Sequence, residues 1–113
     1  MNFYILTFDR EPTKSYKEFH DDFVNHPGIE KWWHYIQSSY IVGSTTLNQN
    51  DISEHFAQTA KKMGIKSTHL VLNVNLSYRQ GLLKKDAWAW LKKNSSKQFL
   101  FFKSATQAFT SLL

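Results

Sequence analysis

The chain of 113 residues has no cysteine, only two prolines and four glycines, and no long apolar run. The lack of cysteine excludes disulfide scaffolds, thiol catalysis and cysteine zinc sites, and it favours a reducing cytoplasm as the location. No segment approaches the about 18 consecutive apolar residues that span a bilayer, so we expect no membrane partner. The N-terminal residues lack the basic region and the small-residue cleavage site of a secretory signal.

Acidic residues are scarce in the second half of the chain. Residues 1–56 carry a net charge of −4 and residues 57–113 carry +9, which together give the formal +5. This asymmetry favours a polarised surface and nucleic acid as a partner. The alternative is that the two halves interleave in the fold and the charges average out. The length and the 42% hydrophobic content predict one domain, 1–113, in which 94–113 form an appended tail.

Apolar periodicity predicts strands that alternate with helices. The segments are a central strand at 2–8, a helix near 13–25 that begins at Pro12, strand material at 32–46 with a break at 37–39, a helix near 51–63 and a strand at 70–76. This order predicts an α+β fold, a ferredoxin-like βαββαβ sandwich with a C-terminal extension. Both helices would cover one face of an antiparallel sheet.

Local signals refine the ends of these elements. Asp51 has the spacing of an N-cap with Glu54 three residues later, and Asp86 is in place to cap a short helix. In the strand at 70–76, Leu70 and Leu72 belong to the alternating face that we expect to be buried. In the tail, 98–102 predicts an edge strand, and Ser104 is a candidate cap of a last helix.

Asp9 follows the first apolar strand directly and is the first candidate for chemistry. In a symmetric dimer, two such carboxylates could meet and hold Mg²⁺ together with several waters. The competing interpretation is an aspartate that starts a turn through its own backbone hydrogen bonds.

Histidines and aromatic residues are dense in two further segments. Asp22 and His26 are four residues apart and share a helical face, as some metal ligands do, although a solvated acidic face is the simpler interpretation. The cluster 32–35 could stack nucleobases, and His34 could act as a general base. A strand that packs against a core or a subunit would have the same composition.

Lysine pairs flank two tryptophans late in the chain. Lys84, Lys85, Lys92 and Lys93 surround Trp88, and Lys85, Trp88 and Lys92 share a face at helical spacing. Basic residues among aromatic ones are typical of surfaces that follow a nucleic-acid backbone. An amphipathic helix with buried tryptophans and solvated lysines remains open as the alternative. The nucleotide-binding and nucleophile-elbow glycine motifs are missing from the sequence.

The arrangement resembles a known group of small proteins. The apolar strand that ends in Asp9, the segments Trp33-His34-Tyr35 and Ser38-Ser39-Tyr40-Ile41-Val42, and the late Ala87-Trp88-Ala89-Trp90-Leu91 are similar to short bacterial SinR-like proteins. These are members of the CRISPR-associated ferredoxin-fold nuclease superfamily, which includes the virulence-associated protein D toxins. The resemblance covers roughly residues 1–93. It implies a ferredoxin-like fold, a homodimer and a metal-dependent phosphodiesterase site at Asp9.

The leading hypothesis is a cytoplasmic homodimer that contacts RNA or DNA and acts as a weak Mg²⁺-dependent endoribonuclease. Asp9 would hold the metal, His34 would assist as a base, and the four lysines with Trp88 would position the nucleic acid. The alternative hypothesis is a non-catalytic interaction or regulatory module, similar to an antitoxin or a scaffold, with the aromatic segments as its interface.

Overall fold

Alternating strands and helices make up the first 74 residues of the chain. The computed structural model describes residues 1–95 and divides into two units, 1–74 and a second that begins at Asn75. The first unit contains β1 (Asn2–Phe8), α1 (Lys17–Val24), β2 (Lys31–Ile36), β3 (Ser39–Ser44), α2 (Gln49–Lys62) and β4 (His69–Val74). The second unit contains α3 (Lys85–Lys93). The single domain with an appended tail at 94–113 stays a prediction.

The four strands form one antiparallel sheet in the order β2-β3-β1-β4. β1 is central, as its apolar composition predicted. The prediction of an α+β fold is therefore confirmed: it has a four-stranded antiparallel sheet and, in the described residues, three helices. This architecture is compatible with a ferredoxin-like sandwich.

An aromatic core lies between one face of the sheet and the helices α1 and α2. Strand side chains alternate between faces, so every second residue of β1 and β3 faces the helices. The buried members from the strands and helices are Tyr4, Leu6, Phe8, Tyr40, Val42, Phe19, Phe23, Ile52, Phe56 and Ala60. Phe56 lies at the centre, with its ring 5.1 Å from that of Phe8 and 5.0 Å from that of Phe19. The expectation that both helices cover one face is borne out by this shared core.

The helices begin at other residues than the sequence signals indicated. α1 begins at Lys17 rather than 13, because Pro12 lies in a turn and the hydroxyl of Tyr16 accepts the backbone N–H of Glu11. α2 begins at Gln49, and its N-cap is Asn48 rather than Asp51. The side chain of Asp51 instead completes a reciprocal capping box by accepting the backbone N–H of Asn48.

The C-terminal end of α2 agrees with the prediction. Gly64 has φ +66°, a left-handed conformation that glycine adopts without a Cβ clash. Its N–H donates to the carbonyl of Lys61, and the N–H of Ile65 donates to that of Ala60. This pattern is a Schellman motif, and it turns the chain so that Ile65 is buried in the core.

Two further expectations are wrong. The leucines of β4 do not form its buried face: Leu70 and Leu72 are 53% and 50% exposed, while Val71 packs against the core. The helices cover the face of β4 that carries Val71. The side chains of β4 that face the core therefore belong to the more polar of its two alternating sets. Asp86 does not cap α3, because the N-cap is Lys84 and Asp86 already lies in the first turn. The predicted edge strand at 98–102 and the helix at Ser104 lie outside the described residues.

Candidate active site

His20, His34 and Tyr40 meet at the edge of the sheet beside α1. His20 lies on α1, His34 on β2 and Tyr40 on β3. The imidazole of His34 stacks on the ring of Tyr40, with 4.0 Å between the centroids and 8° between the planes. The two imidazoles are 5.5 Å apart. Both histidines are half-buried, so two titratable rings share one small, partly desolvated space.

A short hairpin turn brings the strand residues of this site together. β2 ends at Ile36 and β3 begins at Ser39, so the predicted break at 37–39 is confirmed as a turn. The pairing register shifts between Trp33 and Ile36. With this geometry His34 and Tyr40 lie side by side on the face that carries the helices, as their stacking shows.

The proton position on His34 follows from its partner. Nδ1 of His34 lies 2.9 Å from the backbone carbonyl oxygen of Ser39. A carbonyl only accepts, so Nδ1 carries the proton and donates, and in the neutral ring Nε2 keeps a lone pair. Burial lowers the pKa of His34, and the charged forms of His20 and Arg10 lower it further. His34 is therefore neutral near pH 7 and is equipped as a proton acceptor.

His20 is held by a buried phenol. Its Nδ1 lies 2.7 Å from the hydroxyl oxygen of Tyr40, which is 1% exposed. Burial raises the pKa of the Tyr40 hydroxyl, so it stays protonated at neutral pH. A hydroxyl can donate to neutral His20 or accept from its imidazolium, and the bond therefore fixes the ring in both protonation states. In the imidazolium form, Nε2–H of His20 is a proton donor.

Arg10 and Trp32 extend the site. The guanidinium of Arg10 lies 4.4 Å above the ring centroid of Tyr16. Its charge adds to the effect of burial in lowering the pKa of His34, and it partly offsets the rise in pKa that burial causes at Tyr40. A cation whose charge acts on His34 could neutralise a phosphate bound there. The indole of Trp32 meets the His20 ring edge to face at 4.8 Å and is 41% exposed.

Asp9 lies in a separate depression at the end of β1. The hydroxyl of Thr68 donates to its carboxylate at 2.7 Å, and the hydroxyl of Ser67 donates to its backbone carbonyl at 2.6 Å. The depression has a volume of about 350 Å³ and is lined by Thr7, Phe8, Asp9, Ser38, Thr68, His69 and Leu70. Among the described residues of this lining, Asp9 supplies the only carboxylate, so a second one would have to come from another copy of the chain.

The other metal-like segment also finds structural partners. Asp22 pairs with Lys62 at 2.9 Å, and the ring of His26 packs on that of His55 at 4.6 Å. Within residues 1–95, no three histidine or carboxylate side chains are grouped so as to hold a metal ion.

The predicted nucleic-acid residues belong to the second unit. Lys84 is the N-cap of α3, Lys85 is its first residue, and Lys92 and Lys93 form its last turn; all four are exposed. Trp88 is half-buried, and its indole N–H is buried without a hydrogen-bond partner in the described chain. The lysines are available to a polyanion, whereas much of the Trp88 ring is not.

Of the predicted site residues, His34 belongs to the histidine site and Asp9 does not. The sequence reasoning missed His20, Tyr40 and Arg10 as members. One signal was available: a hairpin turn at 37–39 places Tyr40 beside His34. The position of His20 depends on how α1 packs, which the local pattern does not specify.

Comparisons with known proteins found no relative of this chain. No protein family, no curated protein and no solved structure matches the chain. In the part of the chain that the structure describes, no helix is long and apolar enough to cross a membrane. The function therefore has to be argued from the site itself.

Proposed function

We propose that this protein is a ferredoxin-like endoribonuclease in which His34 and His20 act as base and acid without a metal. One observation carries the proposal. Two imidazoles lie 5.5 Å apart, and the hydrogen-bonding partners of their Nδ1 atoms leave both Nε2 atoms for a substrate. Phosphodiester transfer in RNA needs one group that takes a proton and one that gives a proton, and this pair supplies both.

The proton positions on the two imidazoles define the steps of the reaction. Nε2 of His34 accepts the proton of a ribose 2′-hydroxyl while the 2′-oxygen forms a bond to phosphorus. The bond between phosphorus and the 5′-oxygen breaks, and that oxygen takes the proton from Nε2 of the His20 imidazolium. The products are a 2′,3′-cyclic phosphate and a 5′-hydroxyl. The guanidinium of Arg10 offsets the negative charge that builds on the phosphate oxygens.

The charge distribution supports a nucleic acid as the substrate. The exposed lysines of α3 can contact the backbone by electrostatics alone, which gives affinity without strong sequence preference. DNA lacks the 2′-hydroxyl, so it would be bound and not cleaved. This selectivity distinguishes the proposed chemistry from metal-activated hydrolysis, which does not need the 2′-hydroxyl.

The predicted Mg²⁺ mechanism at Asp9 is the competing enzymatic proposal. It uses a second copy of the chain to bring a second carboxylate, since among the described residues the depression around Asp9 contains one. A homodimer belongs to this proposal. β4 is an edge of the sheet with Leu70 and Leu72 half-exposed, and a second β4 could pair with it and cover them. Sedimentation at micromolar concentration measures this directly, and a clean 13.3 kDa monomer would contradict it.

The deciding experiment uses a labelled single-stranded RNA with EDTA or with Mg²⁺. We expect cleavage that persists in EDTA and that falls by between about 10²-fold and 10⁴-fold in His34→Gln and His20→Gln. Asp9→Asn should retain the rate. The matched control is His55→Gln, which removes a half-buried histidine that donates to the carbonyl of Phe23, outside the site.

The dependence on pH gives a second readout of the same assay. The rate should rise with pH as His34 loses its proton, at a pH below the usual histidine pKa of about 6.5, because burial lowers the pKa of His34. Cleavage that requires Mg²⁺ and disappears in Asp9→Asn would replace the histidine mechanism with the metal mechanism. Cleavage that survives in all the variants would identify a contaminating nuclease.

The non-catalytic module remains the second candidate function, because β2 exposes apolar side chains. Trp32, Tyr35 and Ile36 are 41%, 45% and 47% exposed along this edge strand, although Tyr35 faces away from Trp32, and exposed apolar side chains are typical of contacts with another protein. Absence of cleavage and of nucleic-acid binding at low salt would favour this function.

A further inference from the structure

Trp32 keeps an exposed aromatic surface beside two catalytic candidates. It lies two positions before His34, so both side chains project from the same face of β2. The ring of Trp32 contacts that of His20, with 4.8 Å between the centroids, and 41% of Trp32 remains exposed to solvent. The packing thus orients the indole without covering it.

We infer that Trp32 is a stacking platform for one unpaired base next to the scissile phosphate, so that the substrate is single-stranded RNA. The inference rests on the proposed function and names the substrate class of that site. Base stacking on an exposed aromatic ring tolerates any base, because every base has a π-face. A base inside a duplex already stacks on its neighbours and cannot also cover the indole.

Position makes the platform useful for catalysis as well as for binding. The indole contacts His20, the proposed acid, in a T-shaped arrangement, and Arg10, whose charge acts on His34, could hold a phosphate there. A base stacked on Trp32 would therefore fix the adjacent phosphate beside the imidazoles, and such positioning accounts for a large part of catalysis in phosphoryl transfer. A stacking residue far from the histidines would give affinity alone.

The test uses oligonucleotides with a single ribonucleotide in an otherwise DNA strand, so that only one phosphate can be cleaved. In one series, an abasic site replaces the base on either side of that position. We expect an abasic site on one side to slow cleavage by the native protein about tenfold and to have no effect on Trp32→Ala. Trp32→Phe should cleave faster than Trp32→Ala, because it keeps an aromatic ring on which a base can stack.

Tyr35→Ala is the matched control. Tyr35 is 45% exposed on the same strand, but its ring packs on that of Trp33 on the other face of the sheet. Binding of an all-DNA single strand, measured by fluorescence anisotropy, should weaken about tenfold in Trp32→Ala and remain unchanged in Tyr35→Ala. Thermal melts of the three variants check that each is folded.

The outcomes separate this inference from the proposed function. Cleavage that depends on His34 but is equal for single and double strands, or is insensitive to Trp32→Ala, would overturn the platform and leave the ribonuclease. Strand binding that depends on Trp32 without any cleavage would overturn the ribonuclease and leave the platform.

Discussion

The hydroxyl of Tyr40 lies 2.7 Å from Nδ1 of His20, and this bond joins the buried core to the solvent-facing histidine pair. Tyr40 stacks on His34 with its ring and bonds to His20 with its hydroxyl. One buried side chain therefore positions both imidazoles. Because Tyr40 is 1% exposed and belongs to the core cluster, the geometry of the pair depends on how that core packs.

Tyr40→Phe should separate positioning from chemistry. The substitution keeps the ring that stacks on His34 and removes the bond that orients His20. We expect kcat for RNA cleavage to fall between about tenfold and 100-fold with little change in KM, since a misplaced acid slows the reaction without weakening binding. The loss of stability should be about 1 kcal/mol, measured by denaturant unfolding. An unchanged kcat would show that the bond does not position His20.

Acid should destabilise the folded chain in a defined pH range. Burial lowers the pKa values of His34, His55 and His69, so these groups bind protons more weakly in the folded than in the unfolded state. Their stability contribution is present above about pH 6.5 and is lost as pH falls through the lowered pKa values. Urea unfolding at a series of pH values between about 7.5 and about 5 measures how the free energy of unfolding changes with pH.

A variant isolates one of these groups. His55→Gln should flatten the pH dependence, because Gln can donate to the carbonyl of Phe23 but does not titrate. The same slope in His55→Gln and in the native chain would show that His55 does not contribute.

Phe56→Ala tests the core. Phe56 is 1% exposed, so truncation should lower the free energy of unfolding by about 3–5 kcal/mol. Leu82→Ala removes an apolar side chain that is 84% exposed and should change stability by less than about 0.5 kcal/mol. Chemical denaturation of the two variants side by side provides the comparison, and equal losses would refute the core assignment.

Asn48→Ala tests the cap of α2. It removes the acceptor for the backbone N–H of Asp51, and we expect a loss of about 1 kcal/mol in unfolding free energy. Asn50→Ala is the matched control, because Asn50 is exposed within the first turn of the same helix. If the two substitutions cost the same, the capping box would contribute nothing.

The dependence of binding on salt tests the lysines of α3. If all four neutralise phosphates of a single strand, the logarithm of the binding constant should fall with the logarithm of salt concentration at a slope of about −3. Replacing Lys84, Lys85, Lys92 and Lys93 by Gln should flatten this slope. The double variant Lys14→Gln, Lys17→Gln, in the acidic half of the chain, should not. Binding that ignores salt would remove the lysines from the interface.

Elements with strong local signals were predictable from the sequence. The apolar strand at 2–8, the break at 37–39 and the glycine that ends α2 all agree with the structure, because each depends on residues that are neighbours in the chain. The α+β class followed from their order. His34 was a candidate general base because of its aromatic segment, and that role stays a prediction.

The remaining features depend on contacts between distant segments. Asn48 and Asp51 are both good N-cap residues, and the path of the preceding loop decides between them. The inward face of β4 is set by which side the helices cover, and its leucines point the other way. His20 comes near His34 only when α1 packs on the sheet. Tertiary contacts set these features, so the periodicity of the sequence did not predict them.

The turn at Gln37 and Ser38 has a consequence for how the site can vary in evolution. Trp32, His34 and Tyr40 come from one hairpin, and strand side chains alternate with a period of two. Insertion or deletion of one residue within β2 or β3 would move Tyr40 to the face opposite His34. Homologues with the proposed activity should therefore substitute freely at positions 37 and 38 while holding the spacing between His34 and Tyr40 fixed.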